Sequence, residues 1–293
     1  MTAAFLLKKA GFSLIGLHFV TGYEASDPSS EAVSAAISKM VQIPVEIVDL
    51  RAAFRDAVVS YFTRTYLEGR TPNPCMVCNR VIKFGQLLEI AGRMGATHLA
   101  TGHYARLGRD VHGRILLKKG VDPVKDQSYF LARLGQDQLC RAMFPLGDLT
   151  KEEVTAIGRT EGLQPLTKGE SQDVCFIQNR TYMDFLIDET RAGTPPPGMV
   201  TDTEGNIIGS HSGLFRYTIG QRRGIGIPGP EPYYVVRMDA AANRLVVGKK
   251  ADLLSSGCML TGMNWILQPP SGSFKAQIRL RYRHRATEVE VTP

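Results

Sequence analysis

The sequence predicts an α/β protein: a parallel sheet flanked by helices in the first half, followed by a small barrel or sandwich of short strands. Two observations carry this. Between residues 2 and 104, short apolar runs alternate with longer stretches of helical periodicity, the rhythm of βαβ units. Beyond the Gly193-Thr194-Pro195-Pro196-Pro197-Gly198 break, β-prone runs are separated by turn signals such as Glu204-Gly205-Asn206 and Ala241-Ala242-Asn243. These read as hairpins. The 293 residues suffice for two or three domains with their own cores.

Each element has a local reason. Thr2 to Lys9 reads as a helix already under way, and Phe12 to Phe19 suits a buried strand. Ser29 can cap a helix through Glu31 to Val41. Val45 to Leu50 is the next strand, and Arg51 to Leu67 has helical periodicity that stops at Gly69. Lys83 to Met94 is an amphipathic helix closed by Gly95. Thr97 to Thr101 is a short strand ending in Gly102-His103-Tyr104; ligands of such sheets bind beyond the carboxyl ends of strands. The pattern changes at Thr150, an N-cap with Glu152 and Glu153 in the first turn. A helix to about Glu161, a segment around Cys175 and a helix near Tyr182 to Glu189 follow.

The net charge of +7 suits a polyanionic partner. No apolar run approaches the roughly 18 residues of a membrane span, and the start lacks a small-residue cleavage site. A cytosolic protein is expected. Its five cysteines then argue against a disulfide framework. Cys140 and Cys258 stand in plain sequence and are expected to be buried and structural.

Two cysteines keep unusual company. Cys78 lies in Thr71-Pro72-Asn73-Pro74-Cys75-Met76-Val77-Cys78-Asn79-Arg80, a Pro-rich turn stiffened by two fixed φ angles. Arg70, Arg80 and Lys83 lie near it in sequence and would lower its thiol pKa if they meet it in space. An incidental cysteine in a stiff turn is the competing reading, and Cys75-x-x-Cys78 alone is weak evidence for zinc or redox chemistry. Cys175 ends a polar run and enters an apolar one. Lys125-Asp126-Gln127-Ser128-Tyr129-Phe130 suits a phosphate and a base edge, or a helix start capped by Asp126. Arg279, Arg281, Arg283 and Arg285 alternate, which in a strand would line one face for a phosphate backbone or for solvent. Tyr217 to Gly226 couples glycines to Arg222 and Arg223.

Together, TPNPCMVCNRVIKFG, ATGHYAR, KDQSYFL, GESQDVCFI, GLFRYTIGQRRGIGI and RLRYRHR resemble the MnmA-type tRNA 2-thiouridylase family over essentially the whole chain. The resemblance implies a PP-loop ATPase domain (Rossmann-like, adenine nucleotide alpha hydrolase-like) over 1–147. A central domain over 148–212 and a C-terminal β-barrel over 213–293 would follow. It implies that ATP, with Mg2+ and no protein-bound metal, adenylates the 2-carbonyl of the wobble uridine in tRNAs with Lys, Glu and Gln type anticodons. Cys175 would carry a persulfide received from a sulfur-relay donor protein, and Cys78 would be the nucleophile that releases it, leaving a Cys78–Cys175 disulfide. That bond requires Cα atoms within about 7 Å, so the Cys175 segment is expected to reach over the α/β domain when tRNA binds.

Residue by residue, Phe19 and Gly102 match nucleotide contacts. Asn73, Pro74 and Cys75 match the stretch at the flipped uridine, and His103 lies beside it. Lys125, Asp126, Gln127, Arg281 and Tyr282 match tRNA contacts. Cys75 stands where the family often has Asp. The family's Ser-Gly-Gly-Val-Asp-Ser phosphate loop is absent, and Thr292-Pro293 falls inside the barrel. The expectation is that this chain as given is inactive, with a non-catalytic tRNA-binding remnant as the alternative. Other PP-loop ligases need no cysteine pair spaced like Cys78 and Cys175.

Overall fold

A computed structural model describes residues 1–24, 28–163, 174–178, 180–190, 196–282 and 284–293. Helix α1 (Thr2–Lys9) precedes β1 (Gly16–Val20), α2 (Ser30–Val41) and β2 (Val45–Asp49). β1 and β2 pair in parallel, Gly16 opposite Val45 through Val20 opposite Asp49. The first strand is shorter than its apolar run predicts. Gly11 turns the chain out of α1 at φ +86° and leaves Phe12 half exposed, so pairing begins only at Gly16. Ser29 caps α2 as expected, its hydroxyl accepting from the Ala32 N–H.

Two long helices carry the main core. The first, α3, runs over 51–67 with π-type turns at Arg55–Val59. It buries Phe54, Val58, Val59 and Phe62, and Gly69 follows its end at φ +68°. The second, α4, runs over 74–93, with π-type turns at Cys78–Leu87. It buries Val77, Ile82, Phe84, Leu87, Leu88 and Ala91. This corrects the expectation that Cys78 sits in a loop and that the helix starts at Lys83. Asn73 is the N-cap, its Oδ1 accepting from the Met76 N–H at 3.3 Å, and Pro74 is the first helical residue. Proline stiffens a turn, but it is also pre-set for that first position, where its missing N–H costs nothing.

Strands β3 (Leu99–Ala100) and β6 (Ala142–Met143) form a second parallel pair. Between them lie the antiparallel hairpin of β4 (Ala105–Arg109) and β5 (Ile115–Lys119) and two short helices, α5 (Ser128–Leu131) and α6 (Gln136–Leu139). Helix α7 (Lys151–Thr160) opens with the expected Thr150 N-cap, which Glu153 completes as a capping box, and shares a small core with α1 through Leu6, Tyr104, Leu146 and Val154. Helix α8 (Tyr182–Thr190) leads to a four-stranded sheet in the order β8-β7-β10-β9. Its strands are β7 (Gly198–Thr201), β8 (Ile207–His211), β9 (Tyr234–Asp239) and β10 (Arg244–Gly248). Val200, Leu214, Tyr217, Val235 and Leu245 form its core. The hairpin signals at 204–206 and 241–243 fall between β7 and β8 and between β9 and β10.

The last pair is antiparallel, β11 (Phe274–Ile278) with β12 (Thr287–Val291). The alternating arginines do not form a strand. Pairing ends at Ile278 and resumes at Thr287, so Arg279, Arg281 and Arg285 lie in the connection; Arg283 lies outside the described residues. Tertiary contacts of Arg281 and Tyr282, described below, replace the ladder there. Cys140 and Cys258 are exposed rather than buried. Cys140 follows the short α6, and its Sγ points back to the Asp137 carbonyl at 3.2 Å. Among the described residues no helix is long and apolar enough to cross a membrane.

The packing that matters most for a site joins distant parts of the chain. Phe176, only 3% exposed, sits in an aromatic cluster with Tyr23, Phe54, Phe62 and Phe185 at centroid distances of 5.1 to 5.8 Å. Such pairs contribute about 0.5–1.5 kcal/mol each beyond burial. Tyr66 stacks on Tyr182 at 5.0 Å beside it, and Tyr23 Oη donates to Glu189 at 3.2 Å. Phe176→Ala is therefore expected to cost about 3–5 kcal/mol in urea denaturation and to speed alkylation of Cys175, whose segment loses its anchor. An unchanged midpoint would show that the segment is not held there.

Candidate active site

The carboxyl ends of the parallel strands converge on one region. β1 runs into Thr21-Gly22-Tyr23-Glu24, and β3 runs into Thr101-Gly102-His103. Phe19 is half-buried against the main core and pairs with Val48. Gly102 is exposed, and a Cβ added there would meet only Leu146 Cδ1, at an ordinary 3.6 Å. Nothing inside the chain requires glycine at 102, so the missing side chain leaves room on the outside.

Lys83 is the electrostatic centre of the site. Its ammonium acts on Cys75, Cys78, Cys175 and His103. In an α-helix, residues five apart point about 140° away from each other. Where i→i+5 hydrogen bonds close the turn they return toward one face, and Cys78 to Lys83 is such a step inside the π-type stretch. The thiols also act on one another, Cys175 on both Cys75 and Cys78. The aromatic anchor of Phe176 thus brings Cys175 within electrostatic reach of the first turn of α4. The contact is made by the chain's own aromatic side chains.

The expected lowering of the thiol pKa values does not occur. Cys75 and Cys175 reach solvent on one side and Cys78 is half-buried, yet the protein around them removes enough water to push all three up, Cys78 to about 11. Burial is the largest cause in each case, and Lys83 opposes it. Arg70 instead pairs with Glu68, and Arg80 is exposed. Glu24 was not singled out from sequence; its charge also raises Cys175. No local pattern marks Glu24, because the loop after β1 meets Cys175 only through the fold.

His103 is buried at the back of the site. Its Nδ1 lies 2.7 Å from Thr101 Oγ1, and its ring sits 6.0 Å from Phe144, edge to face. Burial, then Lys83, lowers its pKa to about 3, so the ring is neutral at neutral pH. Asn73 caps α4 and its N–H donates to Tyr61 Oη at 3.3 Å, while Pro74 is buried. Asn79 is 2% exposed; its Nδ2 donates to the Phe130 carbonyl, and its Oδ1 has no partner. Among the described residues no three His, Cys, Asp or Glu side chains are arranged to hold a metal.

A second cluster joins segments about 150 residues apart. Asp126 is 3% exposed. Its carboxylate accepts from the Gly120 N–H and from the N–H and hydroxyl of Ser128, and lies 3.9 Å from Arg279; the N-cap of α5 is Gln127 rather than the expected Asp126. Tyr282 Oη donates to the Asp126 carbonyl at 3.1 Å, and its ring packs on Phe130 at 4.5 Å. Gln127 exchanges hydrogen bonds with the Tyr104 backbone. Arg281 donates to the Ile219 carbonyl at 2.6 Å, bringing in the segment that carries the exposed Arg222 and Arg223. Lys125, Arg281, Arg222 and Arg223 therefore belong to neighbouring segments. Ser171 to Asp173, before Cys175, lie outside the described residues.

Comparison with known proteins gives a consistent picture. A family model described as a tRNA methyl transferase HUP domain matches residues 1–179, and one described as a tRNA methyl transferase PRC-barrel domain matches residues 184–249. The tRNA-specific 2-thiouridylase MnmA of Desulfosudis oleivorans is 46% identical over 292 residues, covering 100% of this chain and 80% of that protein. That of Geotalea uraniireducens is 41% identical over 304 residues, covering 99% and 81%. That of Chlorobaculum tepidum is 44% identical over 301 residues, covering 99% and 81%. The architecture is thus a PP-loop-type HUP domain followed by a PRC-barrel domain, and the HUP span includes both Cys78 and Cys175.

Two outcomes follow from the electrostatics. Lys83→Met is expected to slow iodoacetamide alkylation of Cys78 at pH 8 by about tenfold, one unit of thiol pKa; equal rates would remove Lys83 from the site. For His103, the unfolded imidazole binds a proton near 6.5 and the folded one only near 3. Stability is complete above pH 6.5 and falls as pH drops toward 3, by about 2 kcal/mol between pH 7 and 5. His103→Gln is expected to flatten that slope in denaturation curves at the two pH values.

Proposed function

The chain belongs to the MnmA family of tRNA-specific 2-thiouridylases, and we propose that it serves sulfur transfer to the 2-position of a wobble uridine through the Cys78–Cys175 pair. The observation that carries this reading is that Cys78 and Cys175 lie within electrostatic reach of each other and of Lys83, with Cys78, Val174 and Phe176 packed in one core. The family models' description speaks of methyl transfer, whereas the relatives' names speak of thiolation. Methyl transfer would leave the converging thiols without a task, so thiolation is the better reading.

The residues divide the work as follows. Phe19 and Gly102, at the carboxyl ends of β1 and β3, would hold ATP, Gly102 by letting it approach the backbone. Bound ATP, with Mg2+, supplies the adenylyl group that makes the uracil 2-oxygen a leaving group. Asn73, Pro74 and Cys75 frame the base, the first two by fixing the start of α4. Neutral His103 lies behind it and presents no positive charge of its own. Cys175 receives a sulfur atom as a persulfide from a relay donor protein. Cys78 attacks its inner sulfur; the new Cys78–Cys175 bond forms as the S–S bond of the persulfide breaks, and the released hydrosulfide adds to the activated carbon. Cys78 loses its proton to solvent in that step. Lys83 stabilises the thiolate that burial disfavours.

Recognition of tRNA falls to the second cluster. Lys125 and Arg281 meet phosphates, Gln127 and Tyr282 set the local surface, and buried Asp126 organises the turn rather than touching RNA. Anticodons of the Lys, Glu and Gln type are the proposed targets.

In the full-length enzyme, Cys78→Ser and Cys175→Ser are each expected to lower ATP-dependent 2-thiouridine formation by on the order of 10⁴-fold, measured by nucleoside mass spectrometry. Full activity in either variant would overturn the reading. Lys125→Ala with Arg281→Ala is expected to weaken tRNA binding and to reduce its salt slope by about one to two counterions.

A further inference from the structure

Three thiols lie within electrostatic reach of one another at this site, and sulfur release as outlined uses two. Cys75 and Cys78 stand one turn apart at the start of α4, where the Cys78 N–H bonds back to the carbonyls of Pro74 and Cys75. Helical residues at that spacing have Cα atoms about 5 Å apart, inside the roughly 4.4–6.8 Å window of a disulfide. Their Cβ atoms, about 5–6 Å apart on a helix face, need to close by about 1–2 Å. The first turn can supply that shift because its N–H groups are not tied to a preceding turn. Cys175 lies within electrostatic reach of both thiols, and Lys83 within reach of all three. Cys75 is also exposed on one side, open to a reductant.

We propose that Cys75 is the resolving thiol that frees Cys175 after each sulfur transfer, moving the oxidation into a Cys75–Cys78 disulfide. This rests on the Cys78–Cys175 bond formed on sulfur release. Cys75 gives its proton to solvent, and its thiolate attacks Sγ of Cys78. The Cys75–Cys78 bond forms as the Cys78–Cys175 bond breaks. The electron pair leaves on Cys175 Sγ, which takes up a proton. One disulfide is exchanged for another, with no net oxidation. A dithiol reductant then delivers two electrons and two protons and regenerates Cys75 and Cys78. Lys83 stabilises the thiolate at entry and at departure.

The geometry gives the exchange a purpose. A Cys78–Cys175 bond ties the Cys175 segment to α4 and occupies the sulfur that must accept the next persulfide. A Cys75–Cys78 bond closes within a single helical turn and returns Cys175 as a thiol. The next sulfur can then be loaded before the helix pair is reduced.

The test follows disulfides in the full chain with time. Protein loaded on Cys175 with sulfur from sodium polysulfide is desalted without added oxidant, and Cys78–Cys175 formation is followed as the persulfide releases hydrosulfide. Samples are acid-quenched, alkylated and mapped by non-reducing mass spectrometry. Cyanogen bromide cleavage at Met76 separates Cys75 from Cys78, so their bond reads as a linked pair. The wild type is expected to show Cys78–Cys175 early and Cys75–Cys78 later, with Cys175 alkylated. In Cys75→Ser, Cys78–Cys175 persists and Cys175 alkylation falls roughly tenfold, a shift of about 30 mV in the exchange. Persistence of Cys78–Cys175 to the same extent in both proteins overturns the resolving role and leaves the two-thiol release standing. Absence of Cys78–Cys175 in both removes the release step and the inference with it. The wild-type time course decides between these outcomes even if the variant folds poorly.

Discussion

The burial of Phe176 among Tyr23, Phe54, Phe62 and Phe185 is the contact on which the site depends. Cys175 is the residue immediately before it and sits nearly a hundred positions after Cys78. Ordering a chain over that separation costs entropy, and the cost must be offset by contacts close to the place where the ends meet. One buried phenylalanine with four aromatic neighbours supplies them. The same cluster joins the loop after β1, helix α3 and helix α8. The carboxyl ends of the parallel strands, the first thiol and the second thiol are therefore held in one frame.

The second constraint is the wider winding of α4. π-type turns over Cys78–Leu87 carry Lys83 back toward the face of Cys78. The ammonium then acts on three thiols and on His103 at once. Burial and charge work in opposite directions here. Burial keeps the thiols protonated and guarded from oxidation, while Lys83 lowers the cost of forming a thiolate when chemistry calls for one.

The basic surface is built by a different device. Asp126 is buried and satisfied by Gly120, Ser128 and Arg279, and Tyr282 closes over it. An acid at the centre of a positive region spends its charge on holding the turn. Around it, Arg222, Arg223 and Arg281 of neighbouring segments are exposed. A motif read as a contact strip thus serves, at Asp126, as scaffold.

Much was legible in the sequence because it is local. The caps at Ser29 and Thr150, the helix stop at Gly69, the hairpin turns at 204–206 and 241–243 and the parallel βα rhythm all follow from short-range chemistry and periodicity. The cysteine setting and the ordered motifs marked the family. The errors have a common source. Pro74 could stiffen a loop or start a helix, and only the Asn73 cap and the buried face of α4 settle it. The alternating arginines promised a strand, but Arg281 and Tyr282 found tertiary partners instead. The thiol pKa values turned on burial and on Lys83, both set by folding. By itself the sequence determined the caps, helix stops, hairpin turns and βα rhythm, and the family to which the chain belongs, since propensity and pattern act over a few residues. The tertiary structure alone decided which of those side chains meet and how much water reaches them, because contact and desolvation depend on packing between segments far apart in the chain.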